Sequence, residues 1–179
     1  EPTSMADLGY TRASVDGRYL ACAPSTATHC KYDCGGVNGS YHDRTGAPVL
    51  NTSNFPNVAA MVEHAHALNL TAGWYTNNLQ ASDCEAGWSK TDALHHLHMR
   101  GEAAWLARME FDELKVDSGG DFNNMSAWEQ VLNATGRQIA LENCHQGDEP
   151  PNASWCPFQQ WRTSGDPKVV GWQREMLDT

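Results

Sequence analysis

The chain has 179 residues, enough for one domain with a hydrophobic core. Its 22 acidic and 12 basic residues give a net charge of −10, which argues against nucleic acid or an anionic membrane as a partner, since both require a basic surface. No apolar run reaches the ~20 residues of a membrane-spanning helix, and no stretch resembles a signal peptide.

The first half of the chain alternates between strand and helix patterns. Val58, Met61, Val62, Ala65 and Leu68 recur at helical spacing, with Asn57 before them as a plausible N-cap. The predicted elements here are a helix end at 5–10, a strand at 11–16, a loop at 20–54, a helix at 58–68 and a strand at 70–75.

The second half repeats this order. The predicted elements are a helix at 90–109, a strand within 111–117, a helix at 126–132, a strand at 137–142, a strand end at 160–162 and a helix at 169–177. Strands separated by helices indicate parallel βαβ units.

Polar residues gather where each predicted strand ends. They are Asp16, Tyr75 with Asn77, Lys115 with Asp117, Glu142 with His145, and Arg162 with Asp166. The carboxyl ends of the strands form the active-site face of a (β/α)8 barrel. An open doubly wound sheet also binds ligands at strand ends, but no GxGxxG phosphate loop follows any strand. The sequence therefore predicts an α/β fold of the TIM-barrel type.

Six Asn-x-Ser/Thr triplets and six cysteines indicate the compartment. The triplets begin at Asn38, Asn51, Asn69, Asn124, Asn133 and Asn152. The cysteines are Cys22, Cys30, Cys34, Cys84, Cys144 and Cys156. No CxxC pair occurs among them, which argues against a structural zinc site. We expect a secreted or lumenal, lysosome- or vacuole-type glycoprotein with disulfides, whose pairing at Cys22, Cys30, Cys34 and Cys84 stays open.

The segment FDELKVDSGG places Lys115 and Asp117 on one face of a strand, because strand side chains repeat direction every two residues. One interpretation is an ion pair at a strand edge. The other is a carboxylate nucleophile or base that a neighbouring cation keeps ionised. The segment WRTSGD brings Arg162 and Asp166 to another strand end, although Asp166 before Pro167 also fits a helix cap.

Two carboxylates at neighbouring strand ends are the minimum equipment for hydrolysis of a glycosidic bond. In order, MADLGYTRASVD, NFPNVAAMVEHAHALNLTAGWYTNN, FDELKVDSGG and WRTSGD resemble the melibiase-type α-galactosidases of glycoside hydrolase clan D. The resemblance implies a retaining glycosidase without a metal or cofactor. It implies that Asp117 is the nucleophile and Asp166 the general acid/base.

The same resemblance implies further roles around the catalytic pair. Lys115, Arg162, Asp16 and Tyr75 would contact the sugar, and His145 lies in the loop after the fifth barrel strand, among the candidate substrate-binding residues. A disulfide between Cys144 and Cys156 would brace that loop.

Three positions depart from the family pattern. Asp16 is followed by Gly17 rather than a second acid, Gly119 stands where a cysteine that pairs with the third loop is common, and His145-Gln146 replaces Glu-Trp after Cys144. Hydrolysis of some α-glycoside is therefore better supported than specificity for galactose. A non-catalytic sugar-binding or structural glycoprotein that kept the barrel is the alternative.

The resemblance runs from the second barrel strand to just after the sixth. We therefore expect a fragment of a longer protein or a partner chain that completes the barrel. The first residue is Glu1 rather than Met, from which we expect either a removed leader or an excised piece of a longer protein. Two other features have simpler interpretations. His95 and His98 lie three apart on a helix and are expected at its surface rather than on a metal. Trp155 and Trp161 are the tryptophans expected to wall a sugar site.

Overall fold

The computed structural model describes residues 3, 6–17, 19–20, 41–77, 92–117, 123–144 and 150–163. A short 3-10 helix at Ala6–Leu8 precedes the first strand. The strands are β1 (Arg12–Ser14), β2 (Thr71–Asn77), β3 (Glu113–Asp117), β4 (Ala140–Cys144) and β5 (Gln160–Trp161). The helices are α1 (Val58–Ala67), α2 (Asp92–Arg108) and α3 (Met125–Asn133).

All five strands form one parallel sheet in the order β1-β2-β3-β4-β5. The helices α1, α2 and α3 connect successive strands, which is the repeating βαβ unit of a (β/α)8 barrel. The predicted α/β fold with a parallel sheet is confirmed. The register aligns Asn77 of β2 with Asp117 of β3, and Asp117 with Cys144 of β4.

The two faces of the sheet have different chemistry. In β3, Leu114 and Val116 are buried, whereas Glu113, Lys115 and Asp117 on the opposite face are half-exposed. The buried face packs against the helices through a cluster of large side chains that includes Trp74, Trp105, Leu106, Phe111 and Trp128. This alternation leaves the inner, polar face for a functional site.

A polar network lies on the helix side of β2. Glu102 of α2 is 1% exposed, and its Oε1 accepts a hydrogen bond of 3.0 Å from Trp74 Nε1. Its Oε2 accepts one of 3.3 Å from Thr76 Oγ1 and lies 3.1 Å from Nε2 of His42. The carboxyl group thus ties α2 and the segment before α1 to the strand that carries Tyr75 and Asn77.

The backbone of the segment around His42 lies so close to α2 that there is no room for a side chain at the two positions of closest contact. Gly46 has φ +81°, and a Cβ there would lie 2.2 Å from the carbonyl oxygen of Leu97. A Cβ on Gly101 would lie 2.2 Å from the backbone of Gly46. Two glycines therefore permit the contact that brings His42 to Glu102.

His95 and His98 do not lie at the surface as the sequence indicated. His95 is 5% exposed and His98 is 2% exposed, and the ring of His98 stacks on that of His42 with 4.1 Å between centroids. The prediction from helical spacing was wrong because the buried side of α2 carries polar residues, two of which contact His42 in the segment before α1.

The strand boundaries also differ from the predictions. The strand predicted at 137–142 begins instead at Ala140, because Arg137 turns back and donates to the carbonyl oxygens of Glu110 and Phe111. Asn57 caps α1 as predicted, its side chain accepting from the backbone of Ala60. The helix predicted at 169–177 lies outside the described residues.

We expect Glu102→Ala to lower the free energy of unfolding by about 3 kcal/mol or more, because Trp74, Thr76 and His42 would lose a buried acceptor. Glu102→Gln keeps one acceptor oxygen and should cost less. Urea denaturation measures both. The matched control is Glu129→Ala at an exposed position of α3, expected to change stability by no more than about 0.5 kcal/mol. Equal, small losses in all three variants would contradict the role of the network.

Candidate active site

The candidate site lies on the inner face, at the carboxyl ends of β2, β3 and β4. The register places Tyr75 beside Lys115 and Asn77 beside Asp117. Residues aligned in this way on neighbouring parallel strands point to the same face. The strand pattern alone therefore brings a phenol, an amide, a cation and a carboxylate together.

Tyr75 and Asp117 form the central contact. The phenolic Oη of Tyr75 donates a hydrogen bond of 3.0 Å to Oδ2 of Asp117. Nδ2 of Asn77 donates one of 3.0 Å to the same phenolic oxygen. Burial, supported by the hydrogen bond and charge of Asp117 and opposed by Asn77, raises the pKa of Tyr75 to about 12. The phenol therefore remains a proton donor at neutral pH.

Lys115 supplies positive charge to the same face. Its Nζ lies 3.1 Å from Oδ2 of Asp16 and 5.2 Å from the centroid of the Tyr75 ring. Burial alone would lower the pKa of Lys115, but the hydrogen bond and charge of Asp16, together with Cys144 and Asp117, raise it. Lys115 is therefore a cation throughout the physiological range, and Asp16 is brought to the site by it.

Asn123 and Asn124 shape the end of β3. Nδ2 of Asn123 donates a hydrogen bond of 2.9 Å to the backbone carbonyl of Asp117, and Asn123 is buried. The next residue, Asn124, caps α3 by accepting from the backbone of Ala127. The backbone that carries Asp117 is thereby linked to the start of the following helix.

A second set of charged side chains lies on the inner face nearer the amino-terminal ends of the strands. Arg12 pairs with Glu113, lies 3.8 Å from Oε2 of Glu142 and donates to Gln160. These side chains link β1 to β3, β4 and β5 below the level of Asp117. Arg12 is exposed and both carboxylates are only partly buried, so these contacts are partly solvated ion pairs that link the strands.

Cys144 and Cys156 are both free thiols in the structure, which therefore does not contain the disulfide that the resemblance implies. Cys144 lies on β4, where its Sγ accepts from Nη1 of Arg162 at 3.5 Å. Sγ of Cys156 is instead 3.4 Å from the carbonyl oxygen of Phe158. Burial raises the pKa of Cys144 despite the opposing contact with Arg162, so the thiol is neutral near pH 7.

The structure therefore brings together four of the predicted site residues, Asp16, Tyr75, Lys115 and Asp117. A fifth, Arg162, contacts Cys144, which lies beside Asp117 in the register. Asp166 and His145 lie outside the described residues, as do Asn38, Cys22, Cys30, Cys34 and Cys84. Trp155 is half-buried; its Nε1 donates to Oγ of Ser126 at 2.9 Å, and its ring packs edge-on against Phe158.

The sequence interpretation named Asn77 beside Tyr75 at this strand end without giving it a role, gave Cys144 only the implied disulfide, and did not name Asn123. A role for Asn77 could have been found, because Tyr75-x-Asn77 repeats the two-residue spacing of Lys115-x-Asp117 on the neighbouring strand. Asn123 could not, since its contact depends on the path of the chain between β3 and α3.

Within the described ranges, no group of three His, Cys, Asp or Glu side chains is arranged to hold a metal ion. The same part of the chain contains no helix long and apolar enough to cross a membrane.

Comparison with known proteins gives structural matches only. No protein-family model matches the chain, and no curated protein matches it by sequence. An α-galactosidase from Saccharomyces cerevisiae, solved with raffinose, matches 81% of this chain with 19% identity and a TM-score of 0.56. A Bacteroides fragilis protein with the proposed assignment α-galactosidase/melibiase matches 90% with 22% identity and a TM-score of 0.63. α-Galactosidase I from Mortierella vinacea matches 65% with 27% identity and a TM-score of 0.50.

The fold and the polar strand ends define the chain as part of a TIM-barrel domain. More particularly, its fold is similar to that of the solved α-galactosidase structures described above. The chain spans 29 to 32% of the length of these three solved structures.

The burial of Tyr75, together with its contact with Asp117, predicts a loss of stability at high pH. The raised pKa of Tyr75 means that its contribution to the free energy of unfolding is complete below the ordinary value of 10 and is lost as the pH rises through about 12. Unfolding of the wild type and of Tyr75→Phe, measured across this range, gives the contribution as their difference. A difference that stays constant from pH 9 to pH 12, to within about 0.3 kcal/mol, would contradict the raised pKa of Tyr75.

Proposed function

We propose that the chain is part of a retaining glycosidase that acts on α-galactosides or closely related α-glycosides. The observation that carries the proposal is the carboxylate of Asp117 at the end of β3, held by Tyr75 in a site that also contains Lys115 and Asp16. The relationship to α-galactosidases supports the substrate class, since one of those structures contains raffinose. The proposal concerns the full-length protein, not these 179 residues alone.

In the proposed mechanism Asp117 attacks the anomeric carbon and forms a covalent glycosyl-enzyme. The phenolic proton of Tyr75 stabilises the ionised carboxylate before the attack. Lys115 adds positive charge to the same face and, with Asp16, offers a donor and an acceptor to sugar hydroxyls. All four groups come from β2, β3 and the segment that follows β1, so one sheet edge positions them.

Asp166 is proposed as the second catalytic group, on the ground of the WRTSGD resemblance alone. It would protonate the leaving oxygen and then remove a proton from the water that hydrolyses the intermediate. Arg162, the second residue of this segment and the first after β5, lies at the same end of the sheet as Asp117. This placement supports Asp166 as a residue of the same site.

The second candidate is a sugar-binding glycoprotein without catalysis. The replacement of the usual Glu-Trp by His145-Gln146 and the single acid at Asp16 favour it. Both positions belong to the sugar-reading part of the site, whereas Asp117 and its partners belong to the catalytic part.

Azide rescue in the full-length protein separates the two functions. We expect Asp117→Ala to reduce hydrolysis of nitrophenyl α-galactoside by roughly 10⁴-fold or more. Because azide would then enter on the side vacated by the carboxylate, the rescued product is the β-galactosyl azide. In Asp166→Ala, azide attacks the glycosyl-enzyme instead and gives the α-galactosyl azide.

The control for both variants is Glu63→Ala, at an exposed position of α1. It should keep wild-type turnover. A folded wild type that binds galactosides but hydrolyses no α-glycoside supports the sugar-binding alternative, and retained turnover in Asp117→Ala removes Asp117 as the nucleophile.

We also propose that the protein is a glycoprotein of the secretory route. Four of its Asn-x-Ser/Thr asparagines are exposed in the described ranges, namely Asn69, Asn124, Asn133 and Asn152, and Asn51 is half-exposed. Asn69 follows α1 and Asn133 ends α3, both at the end of the sheet opposite Asp117. Peptide mass spectrometry after N-glycosidase treatment of the secreted protein should find these two modified. Unmodified asparagine at both would contradict the proposal.

A further inference from the structure

Asn77 is an inner-face residue at the proposed site to which the proposed mechanism gives no role. It is the last residue of β2, and its backbone lies directly beside that of Asp117 in the register. Its Nδ2 is 3.0 Å from the phenolic oxygen of Tyr75, which in turn is 3.0 Å from Oδ2 of Asp117. Three polar groups from two neighbouring strands therefore form one hydrogen-bonded chain that ends at the proposed nucleophile.

The donors and acceptors in this chain fix its direction. An amide nitrogen only donates, and an ionised carboxylate only accepts. The phenol has a single proton, and its oxygen accepts from Asn77. The phenolic proton is therefore directed to Asp117. If the amide of Asn77 were turned over, its oxygen and the carboxylate would compete for that one proton.

We propose that Asn77 is a positioning residue that commits the proton of Tyr75 to Asp117 and thereby orients the carboxylate of the nucleophile. The proposal rests on the function proposed above, in which Asp117 attacks the sugar. Asn77 acts through Tyr75, and the reacting atoms belong to Asp117 and the substrate.

The burial of Tyr75 makes the direction of the proton matter. Tyr75 is 8% exposed, so little water competes for its hydroxyl group. Its partners fill the places that water would otherwise take, and a hydrogen bond to a charged group is about twice as strong as one between neutral groups. Replacing the donor at residue 77 should therefore change the strength of the hydrogen bond from Tyr75 to Asp117, and with it the pH at which Asp117 takes up a proton.

The test compares Asn77→Asp with Asn77→Ala in the full-length protein. Asn77→Asp replaces the donor by an acceptor of the same size, so Asp117 loses part of its share of the phenolic proton. We expect the acid limb of the pH profile of kcat/KM to move up by about one pH unit. Asn77→Ala removes the donor and adds no competitor, so the phenolic proton is directed to Asp117 less firmly and the acid limb should move up by a smaller amount, about 0.3 pH unit.

A structural role of Asn77 predicts the opposite order. Alanine removes most of the side chain and would then be the more damaging change, with kcat lowered and the acid limb unmoved in both variants. That result would overturn the proposal.

A double-mutant cycle separates action through Tyr75 from the added charge. In the Tyr75→Phe background no phenolic proton remains to be shared, so Asn77→Asp should move the acid limb by less than half of its shift in the wild type. An equal shift in both backgrounds means that the charge acts on Asp117 directly, and it would refute the role of Tyr75.

One measurement needs no turnover. The side-chain carboxyl carbon of Asp117, identified in the NMR spectrum by its loss in Asp117→Asn, reports its pKa without substrate. A rise of this pKa in Asn77→Asp that shrinks in the Tyr75→Phe background supports the positioning role even if the protein hydrolyses no glycoside. An active wild type in which this pKa does not change with residue 77 retains the proposed function and excludes the positioning role.

Discussion

The parallel pairing of β2 with β3 is the constraint on which the candidate site depends. This register sets Tyr75 beside Lys115 and Asn77 beside Asp117, and the two-residue repeat of each strand turns all four to the inner face. A shift of one residue between the strands would send Asp117 opposite Thr76, whose side chain faces the helices. The chemistry of the site is therefore a consequence of backbone hydrogen bonds between two short strands.

Glu102 supports this pairing from the other side of the sheet. It binds Trp74 and Thr76, which alternate with Tyr75 and Asn77 along β2. The buried carboxyl group therefore fixes the outer face of the same strand whose inner face holds the phenol and the amide. A strand held on both faces can present Tyr75 in one orientation, which a hydrogen bond to a catalytic carboxylate requires.

Strand alternation could be read from the sequence, and it gave the parallel α/β fold and the placement of Lys115 and Asp117 on one face. Contacts between distant segments could not be read in this way. His42 lies 60 residues from Glu102, and no local pattern indicates that they pair in the core. Apolar periodicity likewise misplaced His98, because the polar side of α2 is buried by the segment before α1.

The site shows the same division. Tyr75, Lys115 and Asp117 were predicted from strand ends and from family resemblance, and the structure brings them together. The disulfide between Cys144 and Cys156 was transferred from the family, and here Cys144 instead contacts Arg162. Side-chain pairing depends on loop geometry, which strand and helix patterns do not contain.

The central claim is that Asp117 forms a covalent bond with the sugar. Incubation of the full-length protein with 5-fluoro-α-galactosyl fluoride, followed by proteolysis and peptide mass spectrometry, tests it directly, because the fluorine slows hydrolysis of the intermediate. We expect one added fluorogalactosyl group on the peptide that contains Asp117, and none in Asp117→Ala. Labelling of another carboxylate, or turnover of α-galactosides without any labelled peptide, would contradict the account.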